Sequence, residues 1–149
     1  MKTLIVCLSE HHGNTKKIAD AMAVVLHAEV VSPGDVDVAA LGGYNLIGFG
    51  SGIAFGKHYK GLLKWVDGLP VDSKKAFVFS TRGAPRLGSY HRALKSQLEE
   101  KGVTIVGEFS CRGFDTYGAM KLIGGIAKGR PNEQDLREAQ EFAKSLEKS

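Results

Sequence analysis

Short runs rich in apolar, β-branched and aromatic residues recur along the chain at Leu4 to Leu8, Glu29 to Val31, Leu46 to Phe49, Ala76 to Phe79 and Val103 to Cys111. Apolar character on consecutive positions, not alternate ones, suits strands covered on both faces, as in a parallel sheet. Between the runs the period changes. Ile18, Ala21, Met22 and Val25, then Tyr59, Leu62, Leu63 and Val66, then Leu87, Tyr90, Leu94 and Leu98 follow the three-and-four spacing of amphipathic helices. A last helix opens at Pro131-Asn132, with Asn132 as N-cap, Asp135 three positions on, and Leu136, Ala139, Ala143 and Leu146 as its apolar stripe. Strand and helix alternate throughout, which predicts an α/β fold with an open sheet wound by right-handed crossovers. Residues 112–130 are glycine-rich and fit neither period; they read as a long loop with a helical turn at Ala119 to Ile123.

Length adds that this is one domain: 149 residues, 43% hydrophobic and 24% charged, build a single core and leave no room for a second. Met1-Lys2-Thr3 leads into an apolar run of only five residues, shorter than a signal-peptide core or a membrane span, so a cytoplasmic protein with no membrane association is expected. Cys7 and Cys111 lack metal-ligand spacing and read as free thiols. Placed on the first and fifth strands, they stand roughly 14 Å apart, beyond disulfide reach. Twenty basic against sixteen acidic residues give +4, spread over many segments, which is no nucleic-acid signature.

In open α/β sheets the ligand crevice lies beyond the carboxyl ends of the strands, where the winding direction switches. Three loops meet there. Ser9-Glu10-His11-His12-Gly13-Asn14-Thr15 joins the first strand to the first helix and reads as a phosphate cradle. Amides and the positive end of the helix dipole face the anion, hydroxyls, an amide side chain and two imidazoles add donors, and Gly13 removes an obstructing Cβ. The plainer alternative is that Asn14 or Thr15 simply caps the helix. The second loop runs from Gly50 to Tyr59 and the third from Ser80 to Pro85, both rich in glycine and hydroxyls.

One phosphate loop beside two loops able to flank a flat heterocycle, on a five-stranded pattern covering nearly the whole chain, resembles a short-chain flavodoxin. The resemblance implies a flavodoxin-like three-layer αβα sandwich with a five-stranded parallel sheet of order 2-1-3-4-5 and FMN at the switch point; that order and that site are the family's. It implies further that Ser9, Glu10, His11, His12, Gly13, Asn14 and Thr15 hold the FMN phosphate. Ser51, Gly52, Ile53, Ala54 and Phe55 would line one side of the ring, and Ser80, Thr81, Arg82 and Gly83 its pyrimidine edge. No side chain is expected to act as acid or nucleophile.

The family's stacking tryptophan and tyrosine are replaced by Ile53, Ala54, Ala84 and Pro85, leaving Phe55, Tyr59 and Tyr90 as candidates to touch the ring, while Trp65 falls on a helix and reads as packing. Arg82 either approaches the flavin, where a cation favours the anionic reduced form, or meets solvent or a carboxylate on the next helix. His27, His58 and His91 read as helix or helix-end residues without special duty. A P-loop fails at Ser51 and His58, a dinucleotide fingerprint at Ile53, and a tyrosine-phosphatase loop at Gly13, where its arginine would stand. Adjacent His11 and His12 diverge and lack a third local ligand, so no metal is expected.

Three functional readings stay open. The first is an FMN shuttle carrying one or two electrons between redox partner proteins, with a basic rim of Lys57, Arg82 and Arg86 that prefers acidic partners. The second is an FMN-dependent reductase of quinones or other small acceptors using NAD(P)H. The third is a flavodoxin-like binding module without flavin.

Overall fold

A computed structural model describes residues 1–10, 13–86, 88–113 and 129–148. Its strands are β1 (Thr3–Leu8), β2 (Glu29–Val31), β3 (Leu46–Ala54), β4 (Lys57–His58), β5 (Lys75–Arg82) and β6 (Thr104–Arg112). Its α-helices are α1 (Asn14–Leu26), α2 (Lys60–Asp67), α3 (Arg92–Glu100) and α4 (Glu133–Leu146). Five strands pair in parallel in the order β2-β1-β3-β5-β6, and the two-residue β4 folds back antiparallel on β3. With β4 set aside, this is the expected 2-1-3-4-5 sheet.

Alternation along each buried strand divides the core in two. Leu4, Val6, Ile47, Phe49, Ala76 and Val78 face a layer that includes Leu62, Val66, Leu94 and Leu98 of α2 and α3. Ile5, Cys7, Phe77 and Phe79 face the opposite layer with Ile18 and Met22 of α1 and Ala139 and Ala143 of α4. Burying side chains on both faces is what the consecutive apolar runs require. Trp65 packs against Phe49 with ring centroids 6.4 Å apart, the packing role expected of it.

Two departures from the simple pattern have clear causes. Strand–helix alternation fails between β2 and β3, where short 3-10 turns at Pro33–Asp35 and Val38–Gly43 replace an α-helix; the proline and glycines there break a longer helix. β3 also runs on through Gly50 to Ala54, which read as loop in the sequence. Its glycines are strand positions crossed by aromatic rings: a Cβ on Gly48 would lie 2.3 Å from Phe77, and one on Gly50 2.3 Å from Phe79.

The final helix forms as expected. Asn132 Oδ1 accepts from the Asp135 amide at 3.0 Å, and Asp135 Oδ2 accepts from the Asn132 amide at 2.8 Å, a reciprocal cap. Arg130 adds two hydrogen bonds to the same carboxylate at 2.6 and 2.7 Å. Leu87 and the turn at Ala119 to Ile123 lie outside the described residues. No helix among the described residues is long and apolar enough to cross a membrane.

Candidate functional site

The chain leaves β1 for β2 on one side and returns to β3 on the other, so the switch in winding falls between β1 and β3, where α1 begins. Gly13 occupies the cap position of α1 with φ 67°, a left-handed conformation that glycine adopts without strain. A Cβ there would meet nothing within 4 Å among the described residues. No acidic residue stands in the first turn to neutralise the dipole. Asn14 and Thr15 lie inside that turn and are buried, so neither is the capping residue. Ser9 Oγ accepts weakly from the Lys16 amide at 3.3 Å. Glu10 is exposed, and His11 and His12 lie outside the described residues.

Thr15 ties this turn to the end of β5: its Oγ1 lies 2.7 Å from Thr81 Oγ1 in a buried pair. Each hydroxyl has one proton, so only one of the two donates across the contact and the O–H of the other is left for a different acceptor. Gly113, just beyond β6, closes the third side. A Cβ on it would stand 2.7 Å from the Asn14 side-chain nitrogen. Three strand ends thus converge on the α1 N-terminus, of which the sequence pattern announced two.

The second loop is a hairpin. Phe55 and Gly56 both have positive φ, 54° and 78°, the geometry of a two-residue turn that joins β3 to β4 without splaying them. Phe55 is 85% exposed at its tip. Ile53 and Ala54 are half-buried, and buried Ser51 accepts the Tyr59 amide at 3.0 Å. The Tyr59 ring fills the space where Gly52 lacks a side chain, 2.4 Å from a would-be Cβ. Beside the hairpin a groove of ≈ 920 Å³ is lined by Glu10, Ala54, Phe55, Lys57 and Tyr59, continuing to Leu63 of α2 and Gln97 of α3.

At the third loop the pleat of β5 sends Ser80 toward α3 and Thr81 toward α1. Arg82 neither pairs with a carboxylate of the following helix nor extends into solvent: Nη1 donates to Ser110 Oγ at 2.7 Å and Nη2 to the Pro85 carbonyl at 3.2 Å. Its buried Nε has no partner among the described residues. Burial lowers its pKa, while the nearby Arg112 and Arg130 charges push the same way. Arg112 holds the other side of the loop, donating Nε and Nη2 to the Gly83 carbonyl at 3.0 and 2.7 Å. Of the expected rim, Lys57 and Arg86 are exposed and Arg82 is half-buried.

Two histidines have duties that the sequence did not disclose. His58 lies on β4, not on a helix, fully buried, with Nε2 2.9 Å from the Phe79 carbonyl. Burial above all, with His91 nearby, lowers its pKa to about 3 against the opposing Phe79 bond, so the ring is neutral. His91 caps α3 and lies between Ser80 Oγ (2.7 Å from Nε2) and Glu108 Oε1 (3.0 Å from Nδ1). No spacing rule links residues 80, 91 and 108; they meet through the β5–β6 register, Ser80 opposite Ser110 and Val78 opposite Glu108. Both cysteines are buried and free, and burial pushes each thiol up to about 12, so neither offers a thiolate.

An uncharacterised protein of Methanocaldococcus jannaschii is 49% identical over 150 residues, covering all of both chains. A flavodoxin from the domain Archaea shares the fold with a TM-score of 0.75 at 21% identity, over 99% of this chain and 97% of its own. Oxidised flavodoxin 2 of Bacillus cereus does so with 0.74 at 21%, over 99% of each. The Fusobacterium nucleatum flavodoxin bound to flavin mononucleotide gives 0.69 at 12% identity, over 99% and 98%. A family model for the flavodoxin domain matches residues 5–113, and the chain belongs to that family.

Proposed function

We propose that this chain binds FMN and shuttles electrons between partner proteins in the cytoplasm. The observation that carries the proposal is the N-terminus of α1 at the switch point, with left-handed Gly13, no described residue within 4 Å of a Cβ placed on it, and no acid in its first turn. A dianionic phosphate fits that electrostatic setting. Ser9, Glu10, His11, His12, Gly13, Asn14 and Thr15 would hold the phosphate, the segment Ser51 to Phe55 one side of the ring, and Ser80 to Gly83 its pyrimidine edge, with Ser51 and Ser80, which have no exposed surface, standing behind those linings and not on them.

The flavin, when bound, supplies the one- and two-electron chemistry. The chain's own residues bind and tune it. Thr15 and Thr81 fix the phosphate turn against the third loop. Arg82, held by Ser110 and Pro85, fixes a positive charge at the end of β5, which favours added negative charge nearby. Exposed Lys57 and Arg86 form a basic rim suited to acidic partners.

The visible spectrum of the purified protein, followed by titration with FMN, tests this. A yellow protein, or uptake of added FMN, is expected. Colourless protein that fails to take up FMN rejects the flavin readings and leaves a binding module. A second reading, an FMN-dependent reductase of small acceptors, is favoured by the groove beside Ala54 and Phe55, which offers room for a substrate. Rapid NAD(P)H oxidation by the protein alone supports the reductase; reduction only through a protein reductase supports the carrier.

A further inference from the structure

Ser80, His91 and Glu108 stand in the order hydroxyl, imidazole, carboxylate, the order of a nucleophilic triad. Ser80 has no exposed surface, so no substrate reaches its oxygen and that chemistry is excluded. The run has two ends instead. Its outer end is a polar hollow of ≈ 610 Å³ lined by Ser89, His91, Lys95 and Glu108. Glu108 is 39% exposed there and accepts from Lys95 Nζ at 2.8 Å. Its inner end is Ser110 Oγ, 2.8 Å from Ser80 Oγ and already accepting from Arg82.

Proton counting fixes the direction of every bond in the run. An ionised Glu108 only accepts, so a neutral His91 carries its proton on Nδ1 and turns the Nε2 lone pair to Ser80. Ser80 then donates its single O–H to His91 and accepts from Ser110. A proton added at Nε2 reverses the run: His91 donates to Ser80, Ser80 donates to Ser110, and the Ser110 O–H is released beside Arg82.

We propose that His91 is a redox-linked proton site, which gains a solvent proton at Nε2 when bound flavin gains electrons and turns the Ser80–Ser110 hydroxyls so that Ser110 becomes a donor next to Arg82. The inference rests on the FMN reading. The electrons come from an external donor, the proton passes from water to Nε2, and no covalent bond to the flavin forms or breaks. The groups facing His91 are the neutral His58 ring from β4 at 4.9 Å, Glu108 from β6, Arg82 from β5 and Lys95 one turn along α3. Burial is the largest influence and lowers the His91 pKa; Glu108 opposes it, and Lys95 and Arg82 reinforce it. With its pKa below the ordinary 6.5, His91 is mainly neutral at pH 7 before reduction, and negative charge arriving at the flavin draws the proton in.

The test is a dithionite titration of the FMN-loaded protein from pH 5 to 8, alongside His91→Gln and Glu108→Gln, with the His91 ring followed by NMR in both redox states. Reduction is expected to raise the proton affinity of His91 at least about tenfold. The potential should therefore fall more steeply with pH between its two pKa values. His91→Gln should bind FMN within about threefold of the parent and lose that steep region. Glu108→Gln, a change at a partly exposed site, should move it to lower pH. Yellow variants that keep the parent profile, or a His91 titration identical in both redox states, overturn the inference alone. Parent protein that takes up no FMN overturns the functional reading and the inference with it.

Discussion

Lowering the pH from 7 to 5 is expected to cost the fold about 2 kcal/mol through His58 alone. His58 is fully buried on β4, its Nε2–H donates to the Phe79 carbonyl, and its buried Nδ1 has no partner among the described residues. Protonating Nδ1 would place a cation there with nothing to receive it, 4.9 Å from the His91 ring. Its pKa falls from 6.5 to about 3, by burial first and by His91 second. A folded pKa below the unfolded one gives stability that is complete above about pH 6.5 and is lost as the pH falls, because the unfolded chain binds the proton first. At pH 5 the unfolded imidazole is some 1.5 powers of ten more protonated than bare, about 2 kcal/mol at 1.36 kcal/mol per unit. That figure barely depends on the folded value while it stays well below 5. Urea unfolding at pH 7, 6 and 5 and fixed FMN concentration, with His58→Gln beside the parent, isolates it, since His91 contributes to both proteins. Parallel pH dependences in the two would refute the buried neutral imidazole.

Thr15→Val should weaken FMN binding by about 1 to 3 kcal/mol, since the Thr15 hydroxyl proposed to donate to the phosphate is lost together with its bond to Thr81; an unchanged Kd by flavin fluorescence removes that hydroxyl from the site. Gly50→Ala should destabilise by about 1 to 3 kcal/mol and lower Tm by several degrees, because the new Cβ meets the Phe79 ring at 2.3 Å; an unaltered Tm would show that the ring moves aside freely. Asn132→Ala should cost about 1 kcal/mol through the lost α4 cap, read by chemical denaturation; no loss would mean that the Arg130–Asp135 pair holds the helix end by itself.

The strands and the helix stripes were legible because burial on both strand faces and the 3.6-residue period are local properties of the chain, whereas the order of the strands came only with the family resemblance. The cap at Asn132 was legible for the same reason, its two partners being three residues apart. The extent of β3 was not. Gly50-Ser51-Gly52 has the composition of a loop, and only the rings of Phe79 and Tyr59, brought in from β5 and from beyond β4, make glycine the residue a strand needs there. The 3-10 turns between β2 and β3 carry proline and glycine signals, but their type depends on how 14 residues, 32 to 45, span the edge of the sheet.

The third loop carries the same lesson into the site. Read as a loop, Ser80 to Gly83 forms one lining surface; as the end of a strand, it alternates. Thr81 turns to α1 and joins Thr15, while Ser80 turns to α3 and joins His91. One two-residue step therefore connects the phosphate turn on one face of the sheet with a buried imidazole on the other. Arg82 follows and reaches across to Ser110, the β6 residue paired with Ser80, so the guanidinium is fixed by the same hydroxyl that the histidine run controls. A change in charge at the sheet edge and a change in protonation at His91 are then linked through two serine hydroxyls, each with a single proton to give. Replacing Ser110 with Ala would break that link without touching His91 or Glu108. It should leave the His91 titration sensitive only to through-space charge, and so bring its redox-dependent shift below that of the parent, as NMR in both redox states would record. An undiminished shift would mean that the field alone couples the two sites and that the hydroxyl run is only packing.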